Sequence, residues 1–423
     1  MSTGSEIEPA PEPHPQLSGP GTRHWQLLAE WVALGAAFLA LLFAIDVCAV
    51  VLTGHGSEHR DFVSYWASGQ LFAHHQNPYD ADAIRQLELA HGFSPDRQVL
   101  IVRNPPSALA LVAPLGFLSY RAAALTWSLL LAGCWVASIR MLRVMLGGPD
   151  ARLRVLGYPF PRWLVPALFA PALLCILAGQ TGLFALLGLV LFLRIHPSQP
   201  FLAGVALWLC ALKPHLFLPF AVVLLLWIIV SQSYAVLAGV VAALGASSGV
   251  ALLVDPSAWS QYAQMMRTIG IEREFIPCLG IALRFALNPN STWLQYIPAA
   301  SGCVWAVWYY WAHRDRWDWL QHGSLLVLVS VLVSPYGWLT DQVLAVPALM
   351  WVAFRTGRAN LLTLALASSA IEVAVLLNIY MHSPFYLWTA PAWLAWYLFA
   401  THTAKLHPDI SAPSPLIIKS QPK

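Results

Sequence analysis

Apolar runs broken by short polar stretches occupy residues 27–401 of the chain. The first run, 27–52, is too long for the core of a cleaved leader and no small-residue cleavage pattern follows it, so it predicts an uncleaved membrane helix. Clear runs follow at 121–145, 234–254, 293–311, 320–333, 339–354, 361–379 and 385–401, and shorter ones at 163–178, 183–193, 201–212 and 216–230. Several fall below the roughly 20 residues that cross hydrocarbon. Their breaks are Gly179-Gln180-Thr181-Gly182, the segment 196–200 and Lys213-Pro214-His215. Helices broken in this way must be buried among others or line a wet cavity, because unpaired peptide groups cannot face lipid. The pattern predicts an all-α, polytopic transmembrane bundle of about 10–13 spans. Residues 23–403 form one membrane domain in this reading, between a disordered tail at 1–22 and a second tail at 404–423, both cytoplasmic.

One polar stretch, 60–106, stands apart, because it gathers charge, histidine, amide and aromatic residues between two apolar segments. Phe62, Tyr65, Trp66 and Phe72 fall near helical spacing with Ser64, Ser68 and Gln70 between them, which predicts a short helix lying at the interface. Asn77-Pro78-Tyr79-Asp80 reads as a turn whose Asp80 caps a second helix at 81–91. Asn104-Pro105-Pro106 breaks the chain before an apolar stretch at 108–118, too short to span and expected to be re-entrant or to join the next helix obliquely. Asp61 opens the first of these helices. It is a favoured N-cap residue, and a carboxylate at a membrane boundary also suits a catalytic base; the two roles are compatible.

Composition agrees with lipid as the main solvent. Of 423 residues 58% are hydrophobic and 10% charged, against about 25% charged in soluble domains. The 20 tryptophans suit the headgroup boundary, and a net charge of +3 gives no footing for a nucleic acid. The six cysteines form no CxxC pair and lie mostly in apolar runs, so they read as small core residues.

Charge also orients the chain. With the N-terminus inside, Arg140, Arg143, Arg152, Arg154, Arg162, Arg194, Arg314, Arg316, Arg355, Arg358 and Lys405 fall in inner loops, and among short outer loops only Lys213 is basic. Asp61, His74, His75, Arg103, Gln180, Lys213, His215, Asp255, Glu272, Arg273, Glu274 and Asp341 then share the outer face. The expected location is a cytoplasmic (inner) membrane, with the working face toward the periplasm or outside.

The order Asp61, Tyr65-Trp66-Ala67, Asn77-Pro78-Tyr79, Asn104-Pro105-Pro106, Gly179-Gln180, Lys213-Pro214 and Ser334-Pro335-Tyr336 resembles glycosyltransferase family 87, polytopic enzymes of the GT-C type. The resemblance covers roughly residues 30–400 and rests on order and spacing, since each motif is short. It implies a GT-C-like fold and transfer of mannose, or a related hexose or pentose, from a polyprenyl-phosphate donor to a glycolipid or glycan acceptor outside the cytoplasmic membrane. By the same likeness Asp61 matches the acidic residue of the first outer loop held to be catalytic. In the mycobacterial mannosyltransferase branch the Ser-Pro motif is followed by Trp and a His-His pair. Here Trp338 is followed by Leu339, Thr340 and Asp341, a carboxylate at the second histidine position.

A lipid-phosphate sugar carries its own leaving group, so the chain must supply a base for the acceptor hydroxyl and positive charge near the departing phosphate. Asp61 is the candidate base and Asp341 a second candidate, as base or as the group orienting the acceptor. Lys213, His215 and Arg103 are candidates for the phosphate, and Tyr65, Asn104, Gln180 and Tyr336 for other substrate contacts. Plainer roles stand beside these: Lys213 can snorkel to the interface, and Gln180 can satisfy peptide groups freed at its break. Asp341 and Glu372 lie inside apolar runs, where ionisable groups are costly. The pattern calls for no metal or other cofactor; a divalent cation is compatible with it but nothing indicates one. The absence of a Gly-rich phosphate loop disfavours a soluble nucleotide-sugar enzyme. The competing classes are a transporter or flippase of a lipid-linked sugar and a non-catalytic envelope-assembly protein.

Overall fold

The computed structural model describes residues 20–53, 61–96, 98–147, 152–155, 158–268 and 274–406. Most of the two expected tails, with Glu272 and Arg273, lies outside the described residues. Seventeen helices and one two-stranded hairpin make up the described chain. In order they are α1 (Pro20–Thr53), α2 (Phe62–Ala73), α3 (Ala81–Ala90), α4 (Pro106–Phe117), α5 (Tyr120–Met145), α6 (Leu164–Ala178), α7 (Gly182–Ile195), α8 (Pro200–Leu212), α9 (Pro214–Val230) and α10 (Tyr234–Val254). They continue with α11 (Ala258–Thr268), α12 (Leu279–Leu287), α13 (Ile297–His313), α14 (Trp319–Val333), α15 (Leu339–Ala353), α16 (Arg358–Leu376) and α17 (Thr389–Leu406). The hairpin, β1 (Arg152–Val155) and β2 (Tyr158–Pro161), lies between the apolar runs and is not anticipated from them.

The all-helical membrane architecture expected from the apolar runs is present. Among the described residues, four helices are long and apolar enough to cross a bilayer: α1 over Glu30–Thr53, α5, α10 and α16. The pair α8–α9 makes up to five, and it is bent by 119° at Lys213. The helices α4, α6, α7, α14 and α15 are apolar but only 10–17 residues long. The short runs foreshadowed this, and their burial explains it. Every residue from Leu339 to Met350 is buried, as is nearly all of α7. A helix covered by other helices need not match the bilayer's thickness.

The first loop folds as two helices and a turn. Asp80 caps α3, its carboxylate accepting from the backbone N–H groups of Asp82 and Ala83. The broken α4 joins α5 at Ser119, whose hydroxyl caps the longer helix. Protein covers α2 on nearly every face, from Phe62 to Gly69 and again at Leu71 and Phe72, so its polar serines turn inward rather than to a surface. Ser68 donates to the Pro78 carbonyl at 2.7 Å and Ser64 to the Asp61 carbonyl at 2.7 Å.

Glycine permits the crossing of α2 and α4. A Cβ at Gly69 would stand 2.3 Å from the Val112 carbonyl oxygen, and one at Gly116 would stand 2.4 Å from that of Gly69. Backbone fills both directions, so no side chain can yield. Gly69→Val is expected to cost about 1–3 kcal/mol or more through overpacking, read as a lowered midpoint of thermal unfolding in lipid; an unchanged midpoint would show that the helices part easily.

Candidate functional site

Four chain breaks meet at one place. The first is the start of α2, where Asp61 occupies the N-cap position with φ −67° and ψ −12° but makes no capping hydrogen bond through its side chain. The second is the α6–α7 turn. Its Gly179 adopts φ 74°, a left-handed conformation suited to glycine. The Gly179 carbonyl is satisfied by the Trp127 indole at 2.8 Å, and that of Gln180 by the Cys175 thiol at 3.2 Å. The third is the α8–α9 bend at Lys213. There the Asn104 amide donates to the Leu212 carbonyl at 2.6 Å, while the Asn104 carbonyl accepts from the Tyr79 hydroxyl at 3.1 Å. The fourth is the segment from Ser334 to Trp338, tied by the Ser334 hydroxyl to the carbonyl of Tyr336 at 2.6 Å.

A chain of side-chain hydrogen bonds links all four. Gln180 donates through Nε2 to Asp61 Oδ2 at 2.5 Å. Gln180 Oε1 accepts from the Tyr65 hydroxyl at 3.2 Å and from Lys213 Nζ at 2.8 Å. Lys213 also donates to Asp341 Oδ1 at 2.6 Å, and Asp341 Oδ2 accepts from the Trp338 N–H at 2.9 Å. Lys213 is 8% exposed and Asp341 1%, so this ion pair is held inside the protein. A lysine snorkelling to an interface would not be so enclosed. Burial pushes the Tyr65 hydroxyl up to about 12, against the pull of the Lys213 charge, which keeps it a neutral donor.

The other residues singled out in the sequence lie around this chain. His215 stacks on Tyr336 with ring centroids 3.8 Å apart, and burial raises the Tyr336 hydroxyl to about 12. Arg103 is half-exposed by comparison. It makes a two-pronged ion pair with Glu274, at 2.6 and 3.3 Å. His75 reaches the Val254 carbonyl at 2.9 Å beside Asp255, and His74 bonds only its own helix, at Gln70. A small cavity, about 10 Å³, lies beside Tyr65, Asn104 and Thr181, otherwise lined by aliphatic side chains. Another cavity, about 80 Å³, lies between α1 and α16 and includes Glu372 but no member of the chain.

Sequence reasoning singled out Asp61, Tyr65, Gln180, Lys213 and Asp341, and the fold joins all five. One participant had no readable signal, the Trp338 N–H, which is a backbone group. The charge pattern places Glu274 on the outer face but does not give its pairing with Arg103.

In shape, the site is a string of a half-buried carboxylate at Asp61 and a buried amide, ammonium and carboxylate, flanked by an aromatic stack and a more exposed guanidinium. It can accept a proton at Asp61 and oppose negative charge at Lys213 and Arg103. Comparison with protein-family models matches residues 103–335, more than half of the chain, to glycosyltransferase family 87. No curated protein and no solved structure matches.

Proposed function

This chain belongs to glycosyltransferase family 87, and on that premise we propose that it moves a sugar from a polyprenyl-phosphate donor to a lipid-linked or glycan acceptor at the outer face of the cytoplasmic membrane. The observation that carries the proposal is the hydrogen-bonded string from Asp61 through Gln180 and Lys213 to Asp341, assembled at four separate breaks. The membrane glycosyltransferase activity is the family's; the donor, the sugar and the residue roles are the proposal's own.

Asp61 acts as general base. It takes the proton of an acceptor hydroxyl as that oxygen bonds the anomeric carbon. The anomeric carbon–oxygen bond to phosphate breaks, and the electron pair leaves with the polyprenyl phosphate. No acid is needed, because phosphate is a good leaving group. Arg103 meets the departing phosphate, exchanging part of its contact with Glu274 for the new anion. Lys213 opposes the charge of both carboxylates from behind. The face of the Tyr336–His215 stack receives the sugar, and Asp341 orients the segment that carries it. The outward orientation is supported by the arginines of the short inner loops.

The test is direct. Purified protein in lipid, supplied with polyprenyl-phosphate mannose, glucose or arabinose and candidate glycolipid acceptors, is expected to transfer one of these sugars and to ignore nucleotide sugars. The bend at Lys213 also suits a transporter, since transporters use broken helices. Translocation of the lipid-linked sugar without any transfer would establish that reading instead.

A further inference from the structure

We infer that Gln180 is a positioning residue rather than a substrate contact: it holds the Asp61 carboxylate and couples it electrically to the Lys213–Asp341 pair. Both ends of its amide are committed to protein. Nε2 donates to Asp61 Oδ2, and Oε1 accepts from Lys213 and Tyr65. The orientation is set by chemistry. An ammonium has three donors and no acceptor, and an ionised carboxylate accepts only. Turned over, the amide would set its NH₂ against the Lys213 ammonium and its oxygen against the Asp61 carboxylate, losing two bonds and gaining two repulsions.

The backbone beneath is fixed as well. The Gln180 N–H donates to the Cys175 carbonyl at 3.0 Å, its carbonyl accepts from the Cys175 thiol, and Gly179 before it is anchored by Trp127. Gln180 is 9% exposed. A ligand reaching for the amide oxygen would have to displace the Lys213 ammonium or the Tyr65 hydroxyl.

The coupling has a direction. The Lys213 charge at Oε1 polarises the amide and makes its N–H a stronger donor toward Asp61. A hydrogen bond to the charged form favours that form, so the link holds Asp61 ionised at lower pH than a carboxylate without it. Among the described residues, the charged and titratable groups set around Asp61 include Tyr65 on its own helix, Lys213 and Asp341 across Gln180, and His215 and Cys175 around that pair. Of these, Lys213 supplies the positive charge that the amide relays.

In its kinetic readout this inference rests on Asp61 being the base; in its spectroscopic readout it does not. Gln180→Met keeps the length of the side chain and removes the amide. Infrared difference spectra of each protein against its Asp61→Asn counterpart, followed from pH 3 to 8 in lipid, report protonation of Asp61 directly. The midpoint is expected to rise by roughly one pH unit in Gln180→Met. Gln180→Glu, which sets a like charge beside Asp61, is expected to raise it further. In the transfer assay the acid limb of kcat/KM should move upward by the same amount with the KM for donor unchanged. An unmoved infrared midpoint overturns the coupling, whatever the activity. An unmoved acid limb with KM raised tenfold makes Gln180 a substrate contact instead. Full activity in Asp61→Asn sinks the base assignment and leaves the infrared result standing.

Discussion

Asp61→Asn is expected to lower sugar transfer by about 10²–10⁴-fold, the usual consequence of removing a general base. The substitution keeps shape and can keep a hydrogen bond to Gln180 while taking away the site that accepts the proton. If Asp61 served only to cap α2, the variant would be nearly silent, because Asn caps a helix about as well as Asp. The structure sharpens that contrast, since the Asp61 side chain makes no capping bond and is engaged by Gln180 instead. The measurement is the initial rate of transfer in lipid at saturating donor, set against the unfolding midpoint. A deep loss of rate with an unchanged midpoint is the expected pair of results. Activity within twofold of wild type would remove Asp61 from the chemistry.

Lys213→Met is expected to destabilise the fold by about 3–5 kcal/mol, because it leaves a buried carboxylate without its ion-pair partner. Asp341 would keep only the Trp338 N–H, and Gln180 would lose the donor at its oxygen. The paired replacement Lys213→Met with Asp341→Leu removes both charges together. It should recover most of the lost stability, since exchanging a buried ion pair for apolar residues is often neutral, yet it should not recover transfer. Tryptophan fluorescence during thermal unfolding in lipid measures the first effect and the transfer assay the second. Equal stability of the single and double variants would mean that the pair is solvated in the membrane-embedded protein.

Much of this architecture is written in the hydropathy pattern, and the reason is physical. A chain in lipid must close its own backbone hydrogen bonds, so apolar runs become helices and breaks become conspicuous. The breaks at Gly179 and Lys213 were readable because Gly and Pro interrupt runs that are otherwise continuous. Span length was less readable. The run at 339–354 looks like a crossing, yet α15 is enclosed by neighbours, and nothing in its own residues reports that. The pairing of Arg152–Val155 with Tyr158–Pro161 joins two strands of four residues each, lying between the apolar runs from which the helices are read. In the site, residue types announced Asp61, Lys213 and Asp341 because charge next to apolar sequence is costly. Asp61 meets Gln180 across 119 residues and Lys213 meets Asp341 across 128, packing that no local pattern encodes. Arg103 and Glu274, 171 residues apart, are the clearest example.

The same separations set a timetable for the protein's birth. Lys213 and Asp341 are 128 residues apart in the chain. At a synthesis rate of about 5–20 residues per second, the lysine precedes its carboxylate by roughly 6–26 s. For that interval the ammonium is already made while its counter-charge is still on the ribosome. Maturation of the site therefore waits until Asp341 has been made, and a chain halted before it carries an unmatched cation and no assembled string.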